Sequence, residues 1–85
     1  MAGNYATCIL DRMPGTQNEA VMRAVVQICY KKYPGRFEFI PQGHGRGWFG
    51  YDSGVECAAK EAAKTPNNNA AHLIAIACRR LYDEP

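Results

Sequence analysis

A chain of 85 residues, 47% apolar, 21% charged and carrying a net charge of +2, is one ordinary globular domain over 1–85 and not a disordered tail. At this size folding hides only roughly 60–65% of the unfolded surface, so the core is thin. The charge is too small to imply nucleic acid by itself, and nothing approaches the run of about 18 apolar residues that crosses a membrane.

The opening MAGNYATCILDRM has no basic head followed by an apolar core, so the expected location is the cytoplasm. A short first helix is expected over about 5–13, started by Asn4 and stopped by Pro14-Gly15. A longer one follows over 17–33, with Thr16 and Glu19 in capping-box spacing and Pro34-Gly35 as its stop. Sliding the chain by 49 residues lays Cys8 on Cys57, Thr16 on Thr65, Asn18 on Asn67, Cys29 on Cys78 and Tyr33 on Tyr82. Ser53 with Glu56 repeats the helix start, and Pro66 stands at a first helical position. The second pair of helices is therefore expected at about 54–63 and 66–82. The fold class predicted is mainly α: two tandem αα-hairpins, 4–33 and 53–82, related by a pseudo-two-fold axis.

Val21, Ala24, Val25, Ile28 and Cys29 recur at helical spacing, as do Ala70, Leu73, Ile74, Ala77 and Cys78. Sizes alternate between the two stripes, which predicts that the long helices pack on each other. Tyr5, Cys8 and Ile9, with Cys57 and Ala58, are expected to close the core.

Within each pair the cysteines are 21 residues apart, too far for the close pairs zinc prefers. With no export signal they are expected to be reduced and packed as small apolar groups. The alternative is a bridge, either within each hairpin, where closing the loop would add roughly 3 kcal/mol, or between Cys29 and Cys78.

The segment 34–52 has no counterpart in the repeat. Phe37-Glu38-Phe39-Ile40 alternates and Gly47-Trp48-Phe49-Gly50-Tyr51 is aromatic, which predicts a short β-hairpin or glycine-rich loop with its tip at Pro41–Arg46. Three readings of this insert compete. It can plug the open end of the core. It can be a protein-binding surface of Arg46, Trp48, Phe49 and Tyr51, with His44 and Arg36, because Trp, Tyr and Arg dominate interface hot spots. It can also contact phosphate, with Lys31, Lys32, Arg36, Arg46, Arg79 and Arg80 as the cations and aromatic rings stacking on bases. The competing account of the lysines and arginines that end the long helices is that cations suit a helix C-terminus.

The run Cys8-Ile9-Leu10-Asp11-Arg12-Met13-Pro14-Gly15-Thr16-Gln17-Asn18, with Cys29 and Tyr33-Pro34, resembles a short module of small uncharacterised proteobacterial and phage proteins. Residues 54–82 resemble it more weakly. That module carries no activity of its own. By size and source the resemblance implies a protein that sticks to a host protein and blocks it, as anti-CRISPR proteins do.

No acid, histidine or cysteine arrangement predicts catalysis. His72 takes the repeat position of Arg23, and the cysteines lie on apolar faces. The expected function is a non-enzymatic protein-binding module needing no metal or cofactor, with a homo-dimer joined through its helices as a further alternative.

Overall fold

A computed structural model describes residues 3–47 and 50–85. Among these lie four α-helices, α1 (Tyr5–Arg12), α2 (Glu19–Lys32), α3 (Gly54–Glu61) and α4 (Asn68–Tyr82), and one 3-10 turn at Arg36–Phe39. The mainly helical fold expected from the periodicity is present.

The repeat is visible bond by bond inside the hairpins. Asn4 accepts the backbone N–H of Thr7 and Ser53 that of Glu56, 49 positions on. The exits match too, Met13 N–H donating to Ile9 O and Ala62 N–H to Ala58 O at 2.8 and 2.9 Å.

The long helices start two residues later than predicted. Their caps are the repeated asparagines: Asn18 accepts from Val21 N–H and Asn67 from Ala70 N–H, each at 2.9 Å. Thr16 and Thr65 are instead drawn into the turns, where their N–H groups donate to Met13 O and Ala62 O. Both are buried. Thr65 Oγ1 accepts from Gly15 N–H and donates to Glu61 O, each at 3.0 Å, so it fastens one hairpin's turn to the other's. Glu19, freed from the predicted capping box, accepts from the side-chain amides of Asn67 and Asn69 at 3.0 and 2.8 Å. Those bonds hold its carboxyl below the ordinary value.

The expectation of reduced thiols is corrected. Cys8–Cys29 joins α1 to α2 and Cys57–Cys78 joins α3 to α4, with Cα separations of 5.7 and 5.5 Å. Both separations suit a bridge. Repeat geometry explains it, because each cysteine pair lies where the two helices of a hairpin face each other.

The packing of the hairpins also departs from the expectation. The helix at the centre is α4, flanked by α3 and α1; α2 packs on α1 and barely reaches α4. The repeat therefore does not extend to how the hairpins meet, since α2 and α3 make no contact comparable to that of α1 with α4. Ala70, Ile74, Ala77, Cys78 and Leu81 of α4 are buried with Tyr5, Cys8, Ile9, Met13, Val25, Cys29, Ile40 and Cys57. Burying a side chain the size of Ile9, Ile74 or Leu81 contributes about 1.5–3 kcal/mol. On α2 the buried face is Val25 and Cys29, supported by Met22 and Val26. Val21 and Ile28, predicted to oppose alanines of α4, are 46% and 40% exposed.

The β-hairpin is absent among the described residues. Arg36–Phe39 follows the break at Pro34-Gly35 as a 3-10 turn, and Ile40 N–H donates to Phe37 O at 3.0 Å. The predicted tip docks on α4 instead, through the N–H groups of Gly43 and Gly45, as described next.

Candidate binding surface

The insert divides into two parts with opposite roles. The tip, Pro41–Arg46, closes the end of α4. A helix leaves its last carbonyls without intrahelical partners, and here those of Arg80, Leu81, Tyr82 and Asp83 all accept from the tip. Gly43 N–H donates to Arg80 O and Gly45 N–H to Leu81 O, both at 2.8 Å. Arg46 Nη1 donates to Tyr82 O at 2.6 Å and to Asp52 O at 3.2 Å. Gln42 Nε2 reaches Arg79 O at 2.6 Å and Asp83 O at 3.3 Å. Gly43 has φ +82, and a Cβ there would stand 3.0 Å from Asp83 O, so this approach requires glycine. A guanidinium at this end also suits the helix dipole. Asp83 in turn caps α3 by accepting from Gly54 N–H at 2.9 Å.

Several predicted contact residues are therefore occupied internally. Arg46 is bonded to backbone, with Glu84 4.0 Å away. Tyr51 lies edge-on to Tyr82, 5.4 Å between centroids, and its hydroxyl donates to Glu61 Oε2 at 2.5 Å. That bond, with the cost of burial, pushes the Tyr51 hydroxyl up to about 12. The same bond, joined by the Lys64 ammonium, lowers the Glu61 carboxyl. His44 is exposed within the turn. Trp48 and Phe49 lie outside the described residues.

The other part, Pro34–Ile40, leaves its chemistry facing outward. Phe39 is 84% exposed although it is a large apolar residue. Its ring lies against Gly35, where a Cβ would collide with it. Arg36 adopts φ +54, the one non-glycine residue with positive φ among those described. That backbone region is uncommon for a residue that carries a side chain. The Arg36 guanidinium stands over the Tyr30 ring, 5.2 Å from its centroid. Beneath, Phe37 meets Tyr5 edge-on at 4.8 Å. Burial raises the Tyr5 hydroxyl's pKa, with Arg36 pulling the other way.

Between these groups lies a groove of about 290 Å³, floored by Tyr5, Tyr33 and Ile40 and flanked by Phe39, Lys32 and Arg36. A second depression of about 240 Å³ adjoins it, sharing Tyr5 and Arg36 and adding Val26 and Tyr30.

Of the six predicted phosphate-contacting cations, Lys32 and Arg36 share the groove. Lys31 is exposed beside them on the last turn of α2. Arg79 lines a different depression with Val55 and Ala58, Arg80 is half-buried on α4, and Arg46 is bound to the helix end. Sequence reasoning selected Arg36 but missed Tyr30, Tyr33 and Phe39. The available signal was the run Tyr33-Pro34-Gly35-Arg36 with an aromatic residue three positions beyond each of its ends, Tyr30 and Phe39.

No group of His, Cys, Asp and Glu suited to a metal ion occurs among the described residues, and no helix is long and apolar enough to cross a membrane. Comparison of the chain with protein-family models, curated proteins and solved structures finds no match.

Proposed function

We propose that the chain is a non-enzymatic protein-binding module whose contact surface is the Pro34–Ile40 side of the insert with the end of α2. The observation that carries this reading is Phe39, a large apolar ring held out in solvent beside an apolar groove. An exposed aromatic next to an arginine and a concave floor is the composition of an interface hot spot. The nucleic-acid reading is weaker, because its six cations divide between separate parts of the surface. The two bridges favour an oxidising compartment over the cytoplasm, since cytosolic thiols are kept reduced.

The test compares the wild-type protein, disulfides intact, with Phe39→Ala and Val55→Ala, immobilised and exposed to bacterial extract. Val55 is 71% exposed on α3, far from the groove in the chain, and serves as the control apolar truncation. A protein retained by wild type and Val55→Ala but lost from Phe39→Ala supports the surface. Equal retention by all three removes it.

A further inference from the structure

The groove also specifies what kind of segment it takes. Its floor is apolar: Tyr5, Tyr33 and Ile40. At about 290 Å³ it lies at the bottom of the range for small-molecule pockets, which run about 300–1,000 Å³. It is sized for one or two side chains rather than a cofactor. Its rim is cationic. Lys32 and Arg36 flank it and Lys31 is exposed on the same helix turn. None of the three has an ion-pair partner within 4.0 Å among the described residues; the two bridges found are Arg46–Glu84 and Lys64–Glu61. The one acid in the neighbouring sequence is Glu38.

Two accounts could explain these charges without a ligand. Lys31 and Lys32 sit on the last turn of α2, where the dipole favours them. Arg36 is different. It lies beyond the helix, its guanidinium forms no ion pair among the described residues, and it stands in a backbone conformation that glycine would adopt without strain. The dipole does not explain it, and its guanidinium lies over the Tyr30 ring. A guanidinium poised over one ring at the mouth of an apolar groove leaves its N–H fork free for a carboxylate.

We infer that this groove binds an acidic peptide segment: one aliphatic or aromatic side chain enters between Phe39 and Tyr33, and flanking carboxylates meet Arg36 and Lys32. This rests on the protein-binding reading above and adds the partner's chemistry to it. A nucleic-acid strand fits less well. Three neighbouring cations neutralise few phosphates, and the apolar floor offers little to the polar edges of a base.

The experiment selects a random peptide library, displayed on phage, against the oxidised protein. The expected enrichment is for sequences with an apolar residue flanked by Asp or Glu. A synthetic peptide of the enriched sequence should weaken about tenfold for each of Arg36→Glu and Lys32→Glu. It should lose binding in Phe39→Ala, weaken with added salt, and bind Lys60→Glu as it binds wild type. Arg36→Gly keeps the backbone conformation while deleting the charge, so a weakened but fully folded Arg36→Gly separates lost recognition from lost structure. Enriched peptides that lack acids, or that ignore Arg36→Glu while still requiring Phe39, overturn the acidic chemistry and leave the surface standing. Peptides that bind Phe39→Ala undiminished overturn both. A selection with no enrichment overturns the inference. So does a thymidine oligonucleotide that binds at low salt and is lost with Arg36→Glu, which would assign the groove to nucleic acid.

Discussion

α2 and α4 hold equivalent places in the repeat, begin on the same kind of asparagine cap and carry a cysteine at the same position, yet they live in different surroundings. α4 is enclosed by α3 and α1 and buries five side chains; α2 leans on α1 and buries Val25 and Cys29. Valine and isoleucine at positions 21 and 28 are exposed, while alanines at 70 and 77 are fully buried. The repeat covers the local structure, meaning caps, turns and bridge. It does not cover the tertiary neighbours, because only one long helix can occupy the middle of so small a core. α4 is the scaffold, and α2 leaves its far end, with Tyr30 and Lys32 exposed, outside the core.

The bridges test this division most severely. Each closes a loop with 21 residues of separation, worth about 3 kcal/mol in the chain-entropy model. For a domain of this size that corresponds to a fall in Tm of about 10–20 °C. Replacing both cysteines of either pair by alanine should lower Tm by that order. The two variants should differ in hydrogen exchange. Without Cys57–Cys78, protection should fall across α1, α3 and α4 together. Without Cys8–Cys29, α2 should lose protection first while α3 and α4 keep theirs. Identical exchange patterns would mean that neither helix is the centre.

Single side chains sharpen the same contrast at a similar scale. Ile74 is fully buried in α4, and Ile74→Ala should cost about 2–5 kcal/mol in urea unfolding, from lost transfer energy and the cavity left behind. Ile28→Ala on α2, at an exposed position, should change stability by about 0.5 kcal/mol or less. A comparable loss at Ile28 would show that its face is covered in solution, which is the signature of the dimer that the sequence leaves as an alternative.

Much of this was legible in the chain. The 49-residue offset, the four helices and the end of α2 at Pro34-Gly35 follow from spacing and from two residue types with fixed backbone effects. Helix starts were misplaced because threonine and asparagine both cap well. The choice between Thr16 and Asn18 was made by the buried contact between turns, which is tertiary. The bridges were visible as spacing but not as bonds, because the argument against them came from compartment and not from geometry. At the insert, the glycines read as a tip that could cradle phosphate. They do surround an array of backbone dipoles, but with the N–H groups donating to the carbonyls of α4. The aromatic residue that faces solvent, Phe39, stood in the same phase of the alternation as the half-buried Phe37. Periodicity gives the faces of an element and not which face the fold covers.

The mildest difference between the hairpins is their response to pH. The carboxyl of Glu61, at the end of α3, is held below its ordinary value of 4.5 by the Tyr51 hydroxyl first and by Lys64 second. Its repeat counterpart on α1 is Arg12, so the first hairpin has no matching group. Because the folded value is lowered, this contribution is complete above about pH 4.5 and is lost as pH falls through the folded value. Tyr51 runs the opposite way. Its value is raised from 10.0 to about 12, so its contribution is complete below pH 10 and fades as pH rises through about 12. Glu19 adds a second acid-side limb of the same sign, through the amides of Asn67 and Asn69. Tyr51→Phe should therefore remove the alkaline limb, bring the Glu61 titration up toward 4.5 in carbon-detected NMR, and leave that of Glu19 where it was. Its cost at neutral pH should be about 1 kcal/mol or less, as for one hydrogen bond near the surface. If instead the Glu61 titration stays depressed in Tyr51→Phe, Lys64 is the dominant partner, and the Tyr51 hydroxyl adds little to the tie between the insert and the second hairpin.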